Sequence, residues 1–288
     1  MTHIIEELPI LVLYPHSRCN CRCVMCDIWK ITTIKEISAA DLERHAADIK
    51  ALAVRWVVFS GGEPLMHSDL FRLSDILRQS GIRTTILTTG LLLEKYAAPI
   101  TTGIDDVIVS LDGPPDVHDR IRRRRRAFEL LASGIRALQK RQPDFPISAR
   151  CTIQRENVSC LRETARLAKQ LGLRSISFLA ADLTSTAFNR SEGWSKEKQA
   201  EVALNKDELL SLESEIAGLI EEKDGFVLET PEKLQRIIHH FRAHLGMVDP
   251  VSPRCNAPWV SAVVESDGTV RPCFFHEPIG NIRQNSLR

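Results

Sequence analysis

Four thiols fall within eight positions of the stretch SRCNCRCVMCDIW: Cys19, Cys21, Cys23 and Cys26. Cys19, Cys23 and Cys26 are spaced Cys-x3-Cys-x2-Cys, and Cys21 sits between the first two. A structural zinc site takes four ligands, usually as two Cys-x2-Cys-like pairs from separate segments. Here the fourth would be Cys21 or His16, packed into the same short loop. An iron–sulfur cubane suits one short loop better, because the loop can wrap three corners. Three thiolates on four irons leave one iron open, and an open position is what a catalytic metal needs. Other residues could serve such a centre. In SGGEP, Gly61 and Gly62 let a backbone carbonyl approach a ligand closely, and Glu63 can accept from an ammonium group. In IVSLDG, Ser110 and Asp112 close a strand-like run, where Asp112 reads equally as a turn cap beside Gly113. Arg150, amid strand residues, needs an anionic partner: a ligand carboxylate, or an ion pair on the outer face.

The elements that must position these residues alternate. Strand-like runs at 10–14, 55–60, 82–90, 105–113, 145–153 and 173–180 are separated by helical spacing at 38–52, 68–81, 91–100, 116–140 and 159–172. Ser38 and Ser68 are N-cap candidates, and Gly172 is a stop. Repeated βα units with apolar strands predict a parallel sheet covered by helices, open or closed into a barrel. In a barrel, chemistry sits at the C-terminal ends of strands. The cysteines follow the first strand, GGEP the second, and SLDG closes the fourth. Residues 181–199 read as a polar loop, followed by helices near 206–223 and 231–245. WVSAVVE, SDG and TVRPCFF then read as a hairpin.

The cysteine loop CNCRCVMCDIW resembles the radical S-adenosylmethionine (SAM) superfamily, with Cys21 where Leu is usual. The resemblance implies a partial (β/α)6 TIM-like barrel over 5–180, a loop and helical connector over 181–250, and a C-terminal element over 251–288. It implies that Cys19, Cys23 and Cys26 hold a [4Fe–4S] cluster whose fourth iron is chelated by the amino and carboxylate groups of SAM. One electron then cleaves SAM to methionine and a 5′-deoxyadenosyl radical, which takes hydrogen from a substrate. Gly61, Gly62 and Glu63 would hold SAM's amino group, with Ser110, Asp112 and Arg150 as further SAM contacts. TTG at 88–90 is another candidate; relatives often show Asn there.

The stretch from Cys255 to Cys273 resembles the start of the SPASM or twitch extension of this superfamily, in which both cysteines help hold an auxiliary iron–sulfur cluster. Two thiolates cannot complete a cubane site, which takes four. The extension normally continues to more cysteines, whereas this chain stops at Arg288. The element is therefore truncated, or its site is partial, borrows His276, or is lost. The plain alternative is a hairpin with two core cysteines.

Two features read more blandly. Cys151 and Cys160 are expected in the core. Arg122–Arg126 are five consecutive arginines, which cannot face one ligand from a helix; a solvated basic segment is expected, with a docking patch for an acidic partner as the sharper alternative.

Composition excludes some classes. Lys plus Arg is 38 and Asp plus Glu is 37, so the net charge of +1 argues against a nucleic-acid binder. No apolar run reaches the ~20 residues of a membrane span. The first residues lack signal-peptide organisation, so a cytoplasmic location is expected, where eight cysteines point to metal ligands or core rather than disulfides. The expectation is an enzyme acting on a peptide or protein side chain, with an electron donor such as flavodoxin or ferredoxin. A haem- or cofactor-biosynthesis enzyme is the alternative, and a non-catalytic iron–sulfur electron carrier is a rival of another class.

Overall fold

The computed structural model describes residues 5–252 and 255–288. Nine strands form one sheet, in the order β6-β5-β4-β3-β2-β1-β7-β8-β9. The six parallel strands of the βα repeat are β1 (Ile10–Leu13), β2 (Trp56–Phe59), β3 (Arg83–Thr88), β4 (Asp106–Ser110), β5 (Ile147–Ile153) and β6 (Ile176–Ala180). They stand in sequence order, as consecutive right-handed crossovers dictate. The C-terminal hairpin is not a separate body. Its strand β7 (Ser261–Val264) pairs in parallel with β1, and β8 (Thr269–Arg271) and β9 (Gly280–Asn281) continue the sheet antiparallel.

Burial alternates along the strands. Leu11, Leu13, Val57, Phe59, Ile86, Val107, Val109 and Cys151 point to the helices and are buried. The opposite row, which includes Val12, Val58, Ile108, Ser110 and Arg150, is only half-buried, and Leu179 is 43% exposed. One face of the sheet is thus the core and the other is accessible, as in a partial barrel.

Several expected elements are adjusted. The helix expected at 38–52 is two, Ala39–Arg44 and Ala46–Ala51, broken at His45, whose Nε2 donates to Ile282 O at 2.6 Å. Ser38 caps the first with a full capping box, but Ser68 does not cap the next helix; it donates to Glu36 instead. The long helix at 116–140 is also two, Pro115–Arg122 and Ala127–Arg141. The break falls inside the arginine run, where Arg123 and Arg126 take left-handed conformations (φ 47° and 62°). Trp259 and Val260 belong to a helical turn, Ala257–Val260, rather than the hairpin, and Cys273–Phe275 lie beyond β8. The loop at 181–199 ends in a helix, Lys196–Val202. The helices Lys206–Glu221 and Pro231–His244 agree with expectation, and Gly172 follows the helix Leu161–Gln170 at φ +73°.

Candidate functional site

The cysteine loop leaves β1 and is held from four sides. At its base, Ser17 Oγ donates to Thr33 O (2.8 Å) and accepts from Lys35 N. On a second side it caps a helix. The last carbonyls of Pro115–Arg122 lack intrahelical donors; Arg22 N and Val24 N supply them, donating to Arg122 O (3.1 Å) and Ile121 O (2.9 Å). These two bonds bracket Cys23. On a third side the segment after β6 closes over the loop. Arg190 Nη2 donates to Met25 O (2.7 Å), Asn189 Nδ2 to Asp27 O (3.0 Å), and Trp194 Nε1 to Asp27 Oδ2 (2.9 Å). The Arg190 guanidinium lies 3.5 Å over the Trp194 ring, a cation–π contact.

The Gly61–Gly62–Glu63 turn is the fourth side. A Cβ at Gly62 would sit 2.1 Å from Arg18 O, so only glycine lets the turn pass this close to the loop. Gly61, at φ +97°, lies against the Tyr14 ring. Glu63 N donates to Arg18 O at 2.8 Å. The Glu63 carboxylate is fully buried and already full: Oε1 accepts from Leu65 N and Thr88 Oγ1, and Oε2 from Thr89 N and Thr89 Oγ1. Four donors fill its lone-pair sites. Glu63 therefore braces this turn to the end of β3. Thr89 Oγ1 also lies 2.9 Å from Asn20 Oδ1 of the cysteine loop, although its one proton goes to Glu63.

The structure separates the remaining candidates. Ser110 and Arg150 are register partners on the accessible face of β4 and β5. Arg150 Nε is buried with no partner among the described residues, and burial holds its guanidinium below the usual range. The outer-face ion pair considered for Arg150 is not formed. Asp112 is fully buried, with Oδ1 accepting from Thr152 N (2.9 Å) and Oδ2 in an ion pair with Arg122. Cys21 is buried at 1% exposure, and Cys151 is in the core, as expected. Cys160 is half-buried at the start of its helix.

The thiols differ in their surroundings. Burial pushes Cys19 up, and pushes Cys26 up to about 12. Cys23 is lowered to about 7, first by the hydrogen bond from Cys21 and then, against desolvation, by the Arg122 guanidinium. Among the described residues no group of three or more His, Cys, Asp or Glu side chains is arranged to hold a single metal ion. The donor set is soft, and soft thiolates suit iron–sulfur clusters. Asn20 Nδ2, between Cys19 and Cys21, is buried without a partner and can donate to a bound group. The loop therefore fits a thiolate-held cluster.

Cys255 is exposed and Cys273 half-buried. Beside Cys273, Phe274 stacks on Tyr14 (5.5 Å) and on Phe188 (5.9 Å). These rings, with Gly62, Arg190 and His276, line a cavity of about 460 Å³ between the barrel and the C-terminal strands.

Sequence reading missed Arg122, Asn189, Arg190 and Trp194. A signal existed for Arg122: it falls at helical spacing from His118, and both are buried. The other three lie in a polar loop whose partners are more than 160 residues away, and no local pattern marks them.

The fold and site define a parallel α/β barrel protein carrying a thiol-rich loop at the C-terminal ends of its strands. The chain belongs to the radical SAM superfamily, whose model matches residues 13–168. An iron–sulfur cluster-binding domain of the SPASM type matches residues 255–288. The cofactors of this chain are accordingly a [4Fe–4S] cluster and SAM, with an auxiliary iron–sulfur cluster attached to the C-terminal domain. An AdoMet-dependent heme synthase of Methanosarcina barkeri is 30% identical over 162 residues, covering 54% of this chain and 45% of that one. An Fe-coproporphyrin III synthase of the same organism is 26% identical over 298 residues, covering 97% of this chain and 72% of that one. The chain thus spans about half the length of the first relative. Among solved structures, native anSMEcpe with bound AdoMet superposes with a TM-score of 0.72 at 19% identity, covering 96% of this chain and 79% of that one. That likeness shows the partial-barrel fold. Among the described residues no helix is long and apolar enough to cross a membrane.

Proposed function

We propose that this chain is a radical SAM enzyme in which Cys19, Cys23 and Cys26 hold the [4Fe–4S] cluster. The cluster, when bound, supplies the electron that cleaves SAM to methionine and a 5′-deoxyadenosyl radical. One observation carries the reading: the three thiols lie on a loop pinned at the strand ends, pressed against Gly61–Gly62 with no room for a Cβ. The protein's own residues orient the ligands. Gly61 and Gly62 offer backbone groups to an amino group, while Glu63 fixes the turn rather than binding. Arg150, with an unpartnered buried Nε, is placed to receive a carboxylate, and Ser110 lies beside it. The Phe188–Phe274 stack and Arg190 line the cavity on the loop's outer side.

The expected substrate is a peptide or protein side chain. A second reading, a tetrapyrrole, is favoured by the alignment to Fe-coproporphyrin III synthase across 97% of the chain. The test is anaerobic reconstitution with iron and sulfide, then SAM and dithionite, with 5′-deoxyadenosine read by mass spectrometry. Uncoupled cleavage needs no substrate. The nucleoside should form and should vanish in Cys26→Ala. A protein that carries a four-iron cluster but yields no nucleoside would establish the electron-carrier rival instead. Stimulation of the yield by an added iron tetrapyrrole, with that tetrapyrrole consumed, would select the second substrate reading.

A further inference from the structure

Arg122 is the first of five consecutive arginines, and it alone is buried; Arg123–Arg126 are exposed. Its side chain is 8% exposed, and burying a guanidinium is costly without anionic partners. It has two directions of contact. One amino group, Nη2, forms an ion pair with Asp112, whose side chain is 0% exposed and is itself fixed by Thr152 N. The other, Nη1, donates to Cys23 Sγ at 3.5 Å. The backbone repeats the link, because Arg122 O and Ile121 O accept from the residues on either side of Cys23. The left-handed turn at Arg123 ends the helix at this point, so the Arg122 side chain turns to the thiol loop while the rest of the run turns to water.

We infer that Arg122 is a positioning residue that donates a charge-assisted hydrogen bond to the cluster sulfur of Cys23 and sets the cluster's reduction potential, with Asp112 holding the guanidinium in place. This rests on the proposed role of Cys23 as a ligand. Hydrogen bonds to cluster sulfurs and nearby positive charge favour the more negative, reduced state and raise the potential of the one-electron [4Fe–4S]2+/+ couple. The electron comes from the added reductant.

The experiment is a dithionite titration of the reconstituted protein without SAM, followed by electron paramagnetic resonance, with iron counted per chain. Arg122→Met alone would strand the buried Asp112 carboxylate, so the informative variant is the neutral pair Arg122→Met/Asp112→Asn, which replaces both charges together. Its reduction constant should fall about tenfold, a shift of ~59 mV to more negative potential. Arg122→Lys keeps the charge without the fork and should fall between the wild type and the double variant. A merely structural Arg122 predicts lower stability and no ordered change in potential. An unchanged potential in the double variant at full iron content, with iron lost in Cys23→Ala, would overturn this inference alone. Full iron content in Cys23→Ala would overturn the ligand assignment and the inference with it.

Discussion

Thr89 donates twice to Glu63, from its backbone N–H at 2.8 Å and from its hydroxyl at 2.7 Å, and thereby ties the end of β3 to the glycine turn after β2. Thr88 adds a third bond at 2.7 Å. A carboxylate at zero exposure depends on these donors, because a buried charge left short of them carries its desolvation cost. Thr89→Val should therefore destabilise the fold by about 2 kcal/mol, read as a lower midpoint in urea unfolding. Wild-type stability in Thr89→Val would mean that Glu63 does not depend on this brace.

The glycines test crowding against conformation. Gly62→Ala places a Cβ against the Arg18 backbone, which cannot move aside as a flexible side chain could. The expected cost is about 3 kcal/mol or more. Gly225→Ala is the comparison: its φ is +71° but nothing lies within 4 Å, so only the left-handed backbone costs, about 1 kcal/mol. Melting temperatures in the order wild type, Gly225→Ala, Gly62→Ala are expected; a reversed order of the two variants would contradict the close approach.

Cys21 separates ligand from neighbour. It is as buried as a core residue. Cys21→Ala should keep the full iron and sulfide content after reconstitution, whereas Cys19→Ala and Cys23→Ala should lose most of it. Equal iron loss in all three variants would show that the Cys-x3-Cys-x2-Cys assignment is mistaken.

The C-terminal tail docks on the first helices through Asp48. Its Oδ2 accepts from Ser286 Oγ (2.9 Å) and Leu287 N (3.0 Å), and lies 3.1 Å from His45 Nδ1. The His45 hydrogen bond, chiefly, holds the Asp48 carboxyl below its usual range, with Ser286 and Leu287 adding to it. A carboxyl lowered on folding stabilises the docked form above its unfolded pKa of about 3.9 and loses that contribution as pH falls through the lowered value. Cleavage of the tail by an acid-active protease should therefore rise as pH drops below ~4, and Asp48→Asn should show that sensitivity already at neutral pH with a neutral-active protease. A tail equally protected in Asp48→Asn would assign its docking to Arg283 and Ile282 instead.

Much of this architecture was legible because it is written locally. The apolar runs of β1–β6 and the turn glycines report the nearest few residues, and strand and helix periods read them directly. The hairpin was legible too, since Asp267–Gly268 forms its turn at φ +88°. Its parallel pairing with β1 was not, because nothing in Ser261–Val264 names a strand 251 residues earlier in the chain. The helix breaks at His45 and in the arginine run were hidden for the same reason: local propensity continues through both, and only the Ile282 carbonyl and the cysteine loop make ending the helix favourable.

At the site the division is sharper. By itself the sequence determined the kind of chemistry, because thiolates spaced Cys-x3-Cys-x2-Cys and adjacent glycines constrain one another along a few residues of chain. The tertiary structure decided which polar groups serve that chemistry. Five identical arginines carry no mark that sets one apart, yet the end of a helix turns Arg122 towards a thiol 99 residues earlier and leaves the others in water. Asp112 and Glu63 likewise looked like groups waiting for a ligand. Folding gave each its protein partners first, because a buried charge is stable only where donors or a counter-charge converge on it.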